Sequence, residues 1–217
     1  MAFLPDGRLL VTEQLTGRVR MVVNGHVAAT DPVLQVANVL GNGEAVCGAS
    51  RSIPDGRRGP LSTSSTIGTA GTACSRYTAR GDTAAGSGEN LTLHDPVPLI
   101  DDIVDQDARH NAGCLRFGSD GRLFLSLGDD QVSCGAADST SLRGQLLRLD
   151  VDRVPDSTSS RVLRALITPP DNPLSTSDSN ARLVWAYGFR KPVAIPRRSP
   201  RPASSASPTS ARAAGTS

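Results

Sequence analysis

The chain has 217 residues, of which 38% are hydrophobic and 20% charged, with a formal net charge of +2. That is enough chain for one domain with a real core, and the near balance of charge argues against nucleic acid as the main partner. No run of roughly 18 or more apolar residues occurs, so no membrane-spanning helix is expected, and the first residues read as turn and strand, with no signal peptide.

Residues 3–30 read as a β-meander. Pro5-Asp6-Gly7 is a turn, in which proline presets φ, aspartate caps and glycine accepts positive φ. RLLVTEQ follows as a strand, Thr16-Gly17 turns the chain, and RVRMVV alternates with period two, placing Val19, Met21 and Val23 on a buried face. Asn24-Gly25 is a strong hairpin signal. Residues 31–48 connect to a second sheet. From 49 to 73 the chain is mostly Ser, Arg, Gly, Pro and Thr, and it is expected to be irregular. An irregular loop of about 25 residues is long for a compact domain. SRYTARG and NLTLHDPVPLIDDIVDQ restore strand character and end in an acidic connection, with four carboxylates between Asp101 and Asp107.

The segment from Arg109 to Asp130 sets a histidine beside small residues, then a turn, then an apolar strand that stops at Gly-Asp-Asp. A polar excursion (134–141) leads to the strand GQLLRLDVD, a DNP loop (Asp171 to Pro173) and the strand RLVWAYGFRKP. Residues 194–217 contain four arginines and no acid. They offer too little apolar surface to offset chain entropy, so a disordered tail is expected after a folded region spanning 1–193. Cys47, Cys74, Cys114 and Cys134 show no zinc-site spacing, and no metal ligands are assigned in this chain. For Cys114 and Cys134 two readings stay open, a disulfide in an exported protein or two thiols. Asn90-Leu-Thr fits a glycosylation sequon.

Ala2–Glu13 (AFLPDGRLLVTE) and Arg116–Leu127 (RFGSDGRLFLSL) share one pattern: an aromatic, two residues, Asp-Gly-Arg-Leu, then an apolar strand. Repeated meanders opening on a DG turn suggest radially repeated four-stranded sheets, a β-propeller, with a chance match between two hairpins as the alternative. The fold class is therefore all-β, and the length holds about three to four blades. Aromatics, at 3%, are scarce for such a chain.

FLPDGRLLVTE, HNAGCLRFGSDGRLFLSLGD, LRGQLLRLDVD, DNPL and WAYGFRKP occur in the order found in the soluble quinoprotein sugar dehydrogenases. The chain resembles this glucose/sorbosone dehydrogenase group, which includes the aldose sugar dehydrogenases. The resemblance implies a six-bladed β-propeller, only part of which is present here. It further implies pyrroloquinoline quinone (PQQ) over the central channel with calcium beside it, an aldose sugar and an external electron acceptor as partners, and secretion or a periplasmic location. It also bears on 49–66 and on the tail. Synonymous GC-rich codons chosen for these stretches can, read in another frame, give family-like segments, so a truncated and frameshifted reading of a sugar dehydrogenase gene is expected, and the nucleotide sequence tests this. Open blade edges would then leave an inactive fragment, and a non-catalytic propeller binding module is the rival reading.

By the same resemblance His110 is the catalytic residue, a general base for the anomeric hydroxyl proton, a role suited to an imidazole. Ala112-Gly113 leave room beside it, although Ala112 stands where the family has glycine and Arg109 where a small polar or acidic residue is usual. Arg190 is the PQQ-contacting arginine, whose fixed charge and fork suit quinone oxygen and carboxylates. Lys191 stands where the family usually has asparagine and is assigned to the cofactor with it. Glu44 lies near a family Gln/Glu position but reads better as an exposed loop acid. Asp129 and Asp130 are expected to shape their loop. The calcium-holding loop of the family is absent from this chain, and His26 and His94 read as solvated residues in polar turns.

Overall fold

Two Asp-Gly turns, far apart in sequence, are built alike in the computed structural model. At the first, Leu4 N–H donates to Arg8 O (2.8 Å) and Gly7 N–H to Leu4 O (3.0 Å). At the second, Gly118 N–H donates to Arg122 O (2.9 Å) and Gly121 N–H to Gly118 O (3.1 Å). In both, the aspartate caps the turn, Asp6 Oδ1 accepting from Arg8 N–H and Asp120 Oδ1 from Arg122 N–H, each at 3.1 Å. Gly7 and Gly121 take φ of 93° and 76°, which side chains disfavour. The sequence repeat is thus a structural repeat, and the chance match is set aside.

The structure describes residues 1–36, 47–51, 61–68 and 71–195, apart from positions 5, 14, 84, 85, 105, 108, 133, 156, 157 and 159, with backbone alone over 47–51, 61–68 and 71–72. Pro5, Glu44 and the tail from Pro196 lie outside the described residues.

Three antiparallel sheets follow one another along the chain. The first holds β1 (Ala2–Phe3), β2 (Leu9–Thr12), β3 (Arg18–Val23) and β4 (His26–Val27) in that order, with β5 (Leu34–Gln35) also paired to β3. Val19, Met21 and Val23 are buried and Arg18 is exposed, as period two requires. The second sheet orders β6 (Cys47–Arg51), β7 (Leu61–Gly68), β8 (Gly71–Gly81) and β9 (Leu91–Ile103). The third orders β10 (Ala112–Phe117), β11 (Leu123–Leu127), β12 (Gln145–Leu149) and β13 (Val184–Tyr187). One short α-helix, α1 (Arg164–Ile167), lies between β12 and β13.

Three points differ from the sequence reading. The 49–73 stretch, expected to be irregular, carries strand backbone over 49–51, 61–68 and 71–73, with Gly68 paired to Gly71 between β7 and β8. A sheet needs only paired backbone and extended-prone residues such as Thr63, Thr66 and Ile67, so low apolar content does not preclude strands. Ile195, assigned to the tail, is buried against Phe124 and Leu146. His26 and His94 are exposed but sit in β4 and β9, not in turns.

The sheets stack through two cores. Leu10, Val19, Met21 and Val23 of the first sheet pack with Tyr77, Ala79, Leu91 and Leu93 of the second. Val97, Leu99 and Ile100 of β9 pack with Leu115, Leu125, Leu127, Leu147 and Val184 of the third. Sequential up-and-down meanders stacked in this way are propeller blades, so the chain is all-β and part of a β-propeller. Both central strands of the last sheet, β11 and β12, are buried along their whole length.

The far end of that last sheet explains several motif residues that perform no chemistry. Arg148 on β12 is 4% exposed. It binds both oxygens of Asp171 (2.9 and 3.0 Å), Asn172 Oδ1 (3.0 Å) and Asp120 Oδ2 (2.9 Å). Its guanidinium lies 4.8 Å from the Trp185 ring centre, and Trp185 meets Phe124 edge-on. Burial opposes the arginine's charge, but the two carboxylates more than offset it and raise its pKa, while hydrogen bonding to Arg148 lowers that of Asp171. The LRLD, DNP and WAY motifs meet in one ionic clamp, in which Arg148 is buried and the carboxylates of Asp171 and Asp120 reach it from the solvent side.

Candidate functional site

At the other end of the last sheet the backbone is crowded and unusually turned. His110 and Ala112 take left-handed φ of 64° and 60°, and Asp130, Gln131, Cys134 and Leu142 do likewise in the facing loops. Such conformations concentrate where a site over-determines its backbone. Between His110 and the segment after β13 passes Gly128. A Cβ there would lie 1.4 Å from His110 O and 3.3 Å from Arg190 O, so only glycine lets β11 end in this gap.

The β10–β11 register brings His110 and Asp129 together. Ala112 faces Leu127. Two residues further out on each strand, His110 faces Asp129, with Gly128 N–H bonded to Asn111 O (3.1 Å) between them. His110 Nδ1 lies 2.8 Å from Asp129 Oδ1, and both side chains are mostly buried, at 16% and 18% exposure. Asp129 Oδ1 also accepts from Gln131 N–H at 3.0 Å, which fixes the carboxylate. Through its own N–H, Asp129 donates to Arg190 O at 2.9 Å.

His110 and Arg190, separated by most of the last sheet in sequence, are therefore brought to one place, with Asp129 between them. The Arg190 backbone carbonyl is what meets the His110–Asp129 pair, and the Arg190 and Lys191 side chains are exposed. The segment bearing them is tied down by Gly188 N–H to Ala136 O and Phe189 N–H to Gly144 O, both 2.9 Å. Glu44 lies outside the described residues.

Sequence reasoning read Asp129 and Asp130 alike, as loop-shaping residues, and so missed the first as the partner of His110. The signal was partial: the turn at Asp120-Gly121 locates the hairpin, but its regular register would set Asp130 opposite His110, and only the irregularity between Ala112 and Leu115 shifts the pairing to Asp129. Asp130 is buried at 5% and accepts from Gln106 N–H at 2.9 Å and Asp107 N–H at 2.8 Å, with Arg143 Nε at 3.5 Å. It anchors the loop leading into His110. Asp107 in turn accepts from Arg109 N–H (2.9 Å) and its guanidinium (3.1 and 3.2 Å), which lowers the carboxyl pKa to about 2. The departure at Arg109 thus has a local role, pairing with Asp107.

Elsewhere, Cys114 and Cys134 are not disulfide-bonded to each other, and burial pushes the Cys74 thiol up to about 12. His26 pairs with Glu89 (2.9 Å) and His94 with Thr92 (2.8 Å), away from this site. Among the described residues no group of three or more His, Cys, Asp or Glu side chains could hold a metal ion, and no helix is long and apolar enough to cross a membrane.

A family model described as Glucose / Sorbosone dehydrogenase matches residues 1–200. The chain belongs to the glucose/sorbosone dehydrogenase family. Among curated relatives, it is similar to the HIPL2 protein of Arabidopsis thaliana, 30% identical over 138 residues, covering 60% of this chain and 20% of that protein. It is also similar to Aldose sugar dehydrogenase YliI of Escherichia coli, 32% identical over 84 residues, covering 38% of this chain and 19% of that protein. Among solved structures, the PQQ-bound form of Aldose Sugar Dehydrogenase from Streptomyces coelicolor aligns with a TM-score of 0.65 at 23% identity, over 88% of this chain and 50% of that one. The apo form of the soluble Aldose sugar dehydrogenase from Escherichia coli aligns at 0.61 and 24%, over 88% and 50%. At these identities the structures support the propeller fold alone. The chain spans about half the length of these structures and a fifth or less of these curated relatives.

Proposed function

We propose that this chain carries the base and the cofactor-facing cations of a PQQ-dependent aldose dehydrogenase, which oxidises the sugar at its anomeric carbon to the lactone. The observation that carries the reading is the His110–Asp129 pair, joined through the Asp129 N–H to the backbone of Arg190. The names of relatives point the same way, one solved structure being a PQQ-bound aldose sugar dehydrogenase and one curated relative an aldose sugar dehydrogenase.

The residues present fit PQQ, a polyanionic quinone. Arg190 and Lys191 are exposed, consecutive and cationic, and would hold its oxygens and carboxylates. When bound, the quinone supplies the two-electron acceptor for the hydride of the sugar's C1. In this reading His110 takes the proton of the anomeric hydroxyl. A carboxylate only accepts hydrogen bonds, so the Nδ1 facing Asp129 carries the ring proton and Nε2 keeps the lone pair. Asp129 holds that tautomer and stabilises the imidazolium once the proton has moved. Arg190 offsets negative charge developing on the acceptor side. Calcium fits no cluster among the described residues, and no step uses it. The aldose, an external electron acceptor, and a secreted or periplasmic location belong to the same proposal.

The test supplies PQQ, calcium, an aldose and a redox dye to this chain and to a version extended to a full six-bladed ring. Dye reduction is expected of the extended version, falling roughly 100-fold or more in its His110→Ala variant, while the three blades alone are expected to be inactive. Bound PQQ without dye reduction by the extended version would overturn the enzyme reading in favour of a binding module. Reduction that survives His110→Ala would remove the histidine from the mechanism.

A further inference from the structure

Ser126 is 0% exposed on β11 and faces a cluster of Phe124, Leu146, Trp185 and Ile195. A hydroxyl in such surroundings is unfavourable unless both its roles are filled. They are: Ser126 Oγ accepts from Cys114 N–H at 3.0 Å and donates to Pro192 O at 2.7 Å. One buried group therefore links β10, β11 and the segment that follows β13. Proline has no N–H to give, so its carbonyl is the backbone handle by which the chain just beyond Lys191 is held. A second tie lies further on, where Arg116 Nη1 donates to Ile195 O at 2.6 Å and Ile195 is itself buried. On the near side, Phe189 N–H bonds Gly144 O, and Asp129 N–H bonds Arg190 O. The two site cations thus lie on a short strap fixed at both ends, and Ser126 is the side chain that fixes the end beside them.

We propose that Ser126 is a positioning residue: its hydroxyl sets where Arg190 and Lys191 stand relative to the His110–Asp129 pair, and so tunes the hold on an anionic quinone. The binding part of this rests on the PQQ reading above. The positioning part does not.

The experiment compares the full chain with Ser126→Ala, Ser126→Thr and Leu10→Ala, the last a core truncation in the first sheet that lowers stability away from the site. Two quantities are read: amide hydrogen exchange at Asp129 and Phe189, and the PQQ dissociation constant by absorbance titration. In Ser126→Ala, exchange at both amides is expected to quicken beyond that in Leu10→Ala, and PQQ to bind about tenfold more weakly. Ser126→Thr, which keeps a hydroxyl, restores both. Unchanged exchange at Asp129 and Phe189 in Ser126→Ala, or equal acceleration in Leu10→Ala, overturns the positioning role. If the unaltered chain does not bind PQQ, the cofactor reading falls, and the exchange comparison alone decides the role of Ser126.

Discussion

At the scale of single residues, the site is a set of side chains held by short local bonds, and two of them make sharp tests. Asp107 accepts three hydrogen bonds from Arg109, and its carboxyl titrates at about 2 against an ordinary 3.8. Because the folded value lies below the unfolded one, the stability it contributes is present above about pH 4 and fades as pH falls toward 2. A carboxyl-carbon NMR titration should place the midpoint near 2 and return it toward 3.8 in Arg109→Ala; equal midpoints would refute the pairing. Ala112 sits at φ 60°, a conformation that costs alanine more than glycine. Ala112→Gly is expected to raise stability by about 0.5–1 kcal/mol, seen as a melting temperature higher by about 1–4 °C. A loss instead would mean that the buried methyl outweighs the strain. The family's glycine at this position has its physical reason in that angle.

At the scale of elements, the last sheet has two ends with different duties. One end carries His110, Asp129 and Arg190; the other is locked by Arg148 and its carboxylates beneath Trp185. Arg148→Ala removes a buried, hydrogen-bonded cation and its packing on Trp185, but the carboxylates it leaves are solvated, so it should cost about 1–2 kcal/mol in denaturant unfolding. Arg148→Lys should recover less than half, since an ammonium cannot bind both oxygens of Asp171 in a fork while also reaching Asp120. If Arg148→Lys matched the original chain, the forked geometry would be irrelevant. The same element logic explains what sequence reading saw and overlooked. β3 was legible because Val19, Met21 and Val23 alternate on one buried face. The strands within 49–73 were not, because their sequence lacks that alternation and their pairing is carried by backbone groups.

At the scale of the whole molecule, three blades stack through two apolar cores, and the site hangs from the end of the third. Ligand binding there should stabilise the entire fold by mass action. PQQ at about 100 times its dissociation constant would add about 2.7 kcal/mol, or roughly 5–10 °C in melting temperature. The shift should shrink in a variant that loses both Arg190 and Lys191. A shift of undiminished size in that double variant would place the quinone elsewhere. The chain spans about half of each solved relative described above, in keeping with three blades from a ring expected to hold six.

The sequence alone determined the class and the lineage. Turn residues, period-two alternation and the repeated Asp-Gly-Arg-Leu are local properties, and local steric rules translate them directly into strands and hairpins. His110 and Arg190 stood out as candidates because they lie inside ordered motifs, and Lys191 because it follows Arg190 where the family usually has asparagine. The tertiary structure decided what these residues face. Asp129 became the partner of His110 only through the β10–β11 register, Arg148 became a clamp only when its loop folded back, and Ser126 became a tie only when the segment after β13 crossed its strand. Each of those contacts joins residues well separated along the chain, and their geometry depends on how the strands pair and stack, which no local pattern of residues encodes.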